Sequence, residues 1–214
     1  MRITPLVVGP LQANCWLVAD ERSGEAVLVD PGDEGERIAR AVGDAGVTLT
    51  AIWLTHAHFD HVGGISSLFH AGFVVPIHLH PDDRPLYERA AESGAMFGVR
   101  VDAPPPPDQV LATGQELRVG RHAFTVVHTP GHAPGHVIFV GDGVALTGDL
   151  LFAGSIGRTD LPLANPAAMA SSLERVAALP DETVVHPGHG PSTTIGRERA
   201  SNPFLNGVAR VVGA

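Results

Sequence analysis

The 214-residue chain is 44% hydrophobic and carries 23 acidic against 14 basic residues, a net charge of −9. That is apolar enough for an ordinary core, which excludes disorder, and a surface of this sign repels phosphate backbones, which speaks against a nucleic-acid partner. All 14 basic residues are arginine, so Schiff-base chemistry and lysine-dependent phosphate loops are excluded as well.

In chain order, ITPLVV, CWLVA and AVLVD read as three strands between Ile3 and Val29, short β-branched runs separated by Gly, Asn and Asp. Asp30-Pro31-Gly32 ends the third, and GERIARAVGDAG has the helical spacing of Ile38, Ala41 and Val42 with glycine at its end. The strand TAIWLT follows at 50 to 55, then a polar loop rich in histidine, then a short helix in GGISSLFHAG. VVPIHLH reads as a strand and RPLYERAAESG as a helix. Four consecutive prolines between Asp102 and Gln109 can continue neither a helix nor a ladder and mark a surface connection inside one domain. Strands are expected around LRVG, HAFTVVH, VIFVG and VALTG, a helix from Pro166 to Leu179, and a strand in ETVVHPG. The fold class is α/β, two sheets packed together with helices outside.

The N-terminus MRITPLVVGP lacks the basic start and long apolar stretch of an export signal, and the single cysteine, Cys15, cannot close an intrachain disulfide. No apolar run approaches the roughly 20 residues that span a bilayer. A cytoplasmic protein without a membrane partner is expected.

Twelve histidines against one tyrosine and two tryptophans direct attention to metal chemistry. In THAHFDHVGG, residues two apart in an extended segment point to one side, so His56 and His58 can face one cation while Asp60 and His61 turn toward a second. Three further segments end an apolar strand on a Gly-flanked His or Asp: VVHTPGH at His132, VALTGD at Asp149 and VVHPGH at His189. Strand ends deliver side chains to a common sheet edge, and five imidazoles with two carboxylates suit a pair of divalent cations. Zinc is expected, with iron or manganese as alternatives. A water between two such ions becomes a nucleophile near neutral pH, which points to hydrolysis.

At these residues the chain resembles the metallo-β-lactamase superfamily, and within it the glyoxalase II-like thioester hydrolases. The likeness includes PLQANCWLV, LVDPG, THAHFDH, TPGH, LTGDLLFAGSIGRTDLP, HPGHG and ERASNPFL, nearly the whole chain. It implies an αββα sandwich in a single domain over residues 1 to 214. It also implies that His56, His58 and His132 hold one metal, that Asp60, His61 and His189 hold the other, and that Asp149 bridges both. Asp60 would orient the metal-bridging hydroxide for attack on a thioester of the hydroxyacylglutathione type.

An antibiotic-degrading β-lactamase is disfavoured by the lack of an export signal. The rival reading is a persulfide dioxygenase, similar over the same motifs, with one iron held by His56, His132 and Asp149. Thiolate departs from a thioester without a positioned acid, whereas an amide needs one, and the chain shows no obvious candidate. Full-length members of the glyoxalase II branch carry a helical domain that clamps glutathione, which is not expected here, so the thiol is left open, as are the acyl group and the oligomeric state.

Asp30 is expected either to bond the free nitrogen of a ligand histidine or simply to form the Asp-Pro-Gly turn. Arg158 and Asp160 could orient substrate, but read better as an ion pair that braces a loop. Tyr87, Arg84, Arg197 and Arg199 could line a substrate groove. Cys15 reads as a small core residue, His136 as exposed, and His78 and His80 as facing one side of a strand away from the metals.

Overall fold

The computed structural model describes residues 1–211. The first sheet begins with β1 (Arg2–Val8), β2 (Ala13–Ala19) and β3 (Glu25–Val29), an antiparallel meander. Helix α1 (Gly35–Ala45) ends at Gly46, whose φ of 65° suits glycine, and returns the chain to β4 (Thr48–Trp53), parallel to β3. Two short helices follow, α2 (Phe59–Val62) and α3 (Ile65–His70), before β5 (Ile77–Leu79). A 3-10 turn at Pro81–Asp83, α4 (Arg84–Glu88) and α5 (Ala90–Met96) precede β6 (Gln109–Val110). Strands β5 and β6 extend the sheet in parallel.

The second sheet begins with β7 (Glu116–Val119), β8 (His122–His128), β9 (Val137–Gly141) and β10 (Val144–Gly148), each antiparallel to the next. A small hairpin, β11 (Leu151–Phe152) and β12 (Ser155–Ile156), leads to α6 (Pro166–Ala177). Asn165 caps α6 by accepting the Ala168 N–H, with Pro166 in the first turn. Strand β13 (Val184–Pro187) then joins β10 in parallel, and β14 (Thr193–Thr194) and α7 (Ile195–Ser201) complete the described fold.

Alternation along the strands sorts the core into three layers. Trp16, Val18, Val27, Val29 and Trp53 point from the first sheet toward Phe124, Val126, Phe139 and Leu146 of the second. Their neighbours Cys15, Leu17, Ala26, Leu28 and Ile52 point the other way, onto Ile38, Val42, Ile65 and Leu68 of α1 and α3. Ile138 and Val185 face Met169, Leu173 and Val176 of α6 and Ile195 of α7. Because both faces of β2, β3 and the second half of β4 are covered, those segments are nearly continuous in apolar residues. The result is the αββα sandwich. Trp53 anchors its centre, with ring centroids 5.6 Å from Phe124 and 5.3 Å from Phe139.

The structure departs from the sequence reading in detail. The helix expected over RPLYERAAESG is two, broken at Arg89, and VVPIHLH contributes only three residues of strand. Helices α2 and α7 and the β11–β12 hairpin lie in segments with no strong periodicity.

Candidate metal centre

Strands β3 and β4 run parallel, as do β10 and β13, and β8 runs with β10 because each is antiparallel to β9. Their C-terminal ends meet at one edge of the sandwich. There the Val137 N–H donates to the Thr55 carbonyl at 2.7 Å, and Asn14 Nδ2 donates to the carbonyls of Pro187 and Gly190, joining the two sheets. The loop after β4 supplies His56 and His58, and α2 supplies Asp60 and His61. The β8–β9 loop supplies His132, and the turns after β10 and β13 supply Asp149 and His189.

The candidate ligands form two clusters, His56 with His58 and His132, and Asp60 with His61 and His189, the ligand atoms of each lying within 4.8 Å of one another. Asp149 stands between them. Its Oδ1 is 3.5 Å from His61 Nε2, and its Oδ2 is 3.4 Å from His132 Nε2 and 3.6 Å from His189 Nε2. Gly188 makes room for it: a Cβ there would sit 2.1 Å from Asp149 Oδ1 and 2.8 Å from His61 Cε1.

Hydrogen bonds at the far side of each ring set the tautomers. His61 Nδ1 donates to Asp30 Oδ2 at 3.1 Å, His132 Nδ1 to the Arg158 carbonyl at 2.7 Å, and His189 Nδ1 to the Leu11 carbonyl at 3.1 Å. The single Thr55 hydroxyl proton goes to Asp30 Oδ2 at 2.6 Å, so Thr55 Oγ1 accepts from His56 Nδ1 at 3.0 Å. Each of these four rings thereby turns its Nε2 inward, the atom a metal ligand would use once it carries no proton. His58 instead presents Nδ1, 2.8 Å from His132 Nε2, two imidazole nitrogens aimed at each other with room for a single proton between them.

Burial, reinforced by neighbouring imidazoles, holds His56 well below the ordinary histidine range and His58 at about 3. Burial likewise lowers His132. In the other cluster burial opposes the charge of His61, but Asp149, Asp60 and Asp30 overcome it and raise His61 to about 10. Burial acts to raise Asp60, yet His61 and His189 hold it below the usual carboxylate range. One cluster therefore consists of neutral donors, while the other pairs carboxylates with a histidine that holds its proton until a cation displaces it.

This donor set fits divalent cations. His56 Nε2, His61 Nε2 and Asp149 Oδ1 are buried without a hydrogen-bond partner, an arrangement that costs free energy unless a cation completes it. A further group, His80, Asp82 and His128, does not fit. The rings of His80 and His128 stack 4.2 Å apart at 8°, so their in-plane lone pairs run side by side and cannot converge on one ion.

Asp30 sits at the turn with φ 54° and bonds both Thr55 and His61. Arg158 and Asp160 form a two-pronged ion pair, Nε to Oδ1 at 2.6 Å and Nη2 to Oδ2 at 2.8 Å, while only the Arg158 carbonyl reaches the cluster. Tyr87 is buried and donates to the Pro105 carbonyl, so it lines no groove, and Arg84 and Arg199 are paired with Glu88 and Asp181. Cys15 is buried in the core.

His136 corrects the sequence reading, because it is fully buried rather than exposed. Its Nε2 accepts the Asp149 N–H at 3.1 Å and its Nδ1 donates to Thr129 Oγ1 at 3.0 Å. Thr55 is a further functional residue outside the sequence-based candidates. Its place directly after an apolar strand and before His56 was the available signal.

A family model described as the metallo-beta-lactamase superfamily matches residues 8–189. The chain is 37% identical to the hydroxyacylglutathione hydrolase GloC of Haemophilus influenzae, over 96% of this chain and 99% of that one. Among solved structures it is similar to TTHA1623 in a di-iron-bound form, at 47% identity and a TM-score of 0.88, covering 94% of this chain and 100% of that one. It is similar to the BLEG-1 B3 metallo-beta-lactamase at 37% identity and a TM-score of 0.88, covering 95% and 99%. ETHE1 from Myxococcus xanthus matches at 28% identity and a TM-score of 0.79, covering 97% and 85%. With its fold, its strand-end histidines and aspartates, and a family match over most of its length, the chain belongs to the metallo-beta-lactamase superfamily.

Proposed function

We propose that this protein is a metal-dependent thioester hydrolase of the glyoxalase II-like kind, and that its seven converging side chains hold two divalent ions, zinc first among the candidates. The observation that carries the reading is Asp149, whose carboxylate stands between the two clusters, with Oδ1 near His61 and Oδ2 near both His132 and His189. In this assignment His56, His58 and His132 hold one ion, Asp60, His61 and His189 the other, and Asp149 both. When bound, such a pair supplies hydroxide near neutral pH and polarises a carbonyl.

The protein's own groups do the positioning. Thr55 and Asp30 fix the rings of His56 and His61, and the carbonyls of Arg158 and Leu11 fix His132 and His189. Asp60 is held as a carboxylate, so it acts as a hydrogen-bond acceptor that orients the attacking water. A thioester suits a site without an evident proton donor, because a thiolate with a parent pKa of about 8.5 departs unassisted. The likeness to the Haemophilus hydroxyacylglutathione hydrolase supports the same class of substrate.

A persulfide dioxygenase is the second reading, favoured by the likeness to ETHE1 and by His132, which lies beside both His56 and Asp149. It leaves the equally well-formed cluster of Asp60, His61 and His189 without a purpose. Paired assays separate the two: metal-dependent thiol release from S-lactoylglutathione and other acyl thioesters supports the hydrolase. Persulfide-dependent oxygen uptake without thioester cleavage overturns it.

A further inference from the structure

We infer that Asp83 is a positioning residue for the ion site of His56, His58 and His132, its carboxylate holding the two loops that carry them in one fixed relation. The inference rests on the proposed assignment of those three histidines. Asp83 lies at the end of the 3-10 turn, outside both ligand loops, and is fully buried. Its Oδ2 accepts the Ala57 N–H at 2.9 Å, and Ala57 sits between His56 and His58. Its Oδ1 accepts the Gly135 N–H, in the same β8–β9 loop as His132. One carboxylate thus ties a loop of the first sheet to a loop of the second.

The surroundings are shaped for that bond. A Cβ on Gly135 would lie 2.6 Å from the Asp83 nitrogen and 2.9 Å from its Cβ, so only glycine admits the turn at this distance. The turn also rests on the β8–β9 connection through His80, whose ring stacks on His128, and His128 Nε2 in turn donates to the Pro134 carbonyl at 2.8 Å. His61 and His189 are anchored separately, by Asp30 and by the Leu11 carbonyl. Loss of the Asp83 bonds should therefore be felt at one ion site and not at the other. A carboxylate accepts from both N–H groups, whereas its amide isostere accepts from one and turns a donor toward the other.

The test is chelator-competition titration of the zinc-loaded protein and of four variants, with circular dichroism as a folding check. Asp83→Asn and Gly135→Ala are each expected to weaken one of the two zinc affinities about 10- to 100-fold and leave the other unchanged. Asp82→Asn, at the exposed neighbour, should leave both affinities unchanged. Two wild-type affinities in Asp83→Asn, or an equal weakening of both, would overturn the inference. Should Asp83→Asn fail to fold, Gly135→Ala decides by the same outcomes. If His58→Ala kept both zinc ions, the ligand assignment beneath the inference would fail instead, and the two failures are told apart by that variant alone.

Discussion

Asp30 reaches His61 Nδ1 at 3.1 Å from a left-handed backbone position, φ 54°, that non-glycine residues adopt at a cost of roughly 1–3 kcal/mol. The same carboxylate accepts the Thr55 N–H at 2.8 Å, so one strained residue orders both His56, through Thr55, and His61. Asparagine tolerates this backbone, and Asp30→Asn therefore isolates the charge from the conformation. The metal affinity of the proposed His61 site is expected to fall about 10- to 100-fold in that variant, measured by competition with a chelator. An unchanged affinity would show that the bond to His61 does not serve the metal.

Asp149 and His58 are expected to be indispensable for a different reason, because they stand among the ligands themselves. Asp149→Ala and His58→Ala should each reduce thioester hydrolysis at least about a hundredfold, more than removal of a residue that merely orients a ligand. Steady-state kinetics on S-lactoylglutathione provide the measurement. Wild-type turnover in either variant would contradict the shared centre.

Space matters as much as charge at Gly188. Because a Cβ there would overlap Asp149 Oδ1, Gly188→Ala should displace the carboxylate and lower metal content while the melting temperature of the metal-free protein changes little. Full metal content in this variant would mean that the loop yields without cost. At His136 the expected outcome is the reverse. His136→Ala strands the buried Asp149 N–H and should cost about 1–3 kcal/mol of stability in thermal or urea unfolding.

Two effects of acid follow from the histidines. Ligand histidines must be neutral to bind a cation, and His61, raised by its carboxylate neighbours, is where protons compete first, so metal content and activity should decline together as the pH falls. The second effect does not involve metal. Burial lowers His186 to about 4, beside Trp16 with ring centroids 4.6 Å apart. The unfolded chain then binds more protons than the folded one between about 6.5 and 4. The contribution of His186 is fully present above about 6.5 and is lost as the pH falls toward 4. His186→Gln should flatten the pH dependence of the melting temperature over that window in chelator-treated protein.

The sandwich and the candidate ligands were legible in the sequence because each signal is local. The runs CWLVA, AVLVD and TAIWLT announce doubly covered strands, and a His or Asp directly after a strand announces a sheet edge. His136 was not legible: a histidine flanked by Gly and Val reads as surface, and only the approach of the turn after β10 buries it against Asp149. Asp83 is one of two adjacent acids in PDD, and nothing local distinguishes the buried one from its exposed neighbour. Helix α2 is a single turn whose residues are chosen for chemistry, so it lacks the apolar spacing that marks α1. The preferred ion pair of Arg158 and Asp160 is present in the structure, two residues apart in one loop.

The central claim is that two separate clusters, joined by Asp149, act as one centre for two ions. Elemental analysis of the purified protein beside its His61→Ala variant tests it most directly. The account predicts about two divalent ions per chain in the protein and about one in the variant, with thioester cleavage lost. A single iron per chain that survives His61→Ala, together with persulfide-dependent oxygen uptake, would contradict it.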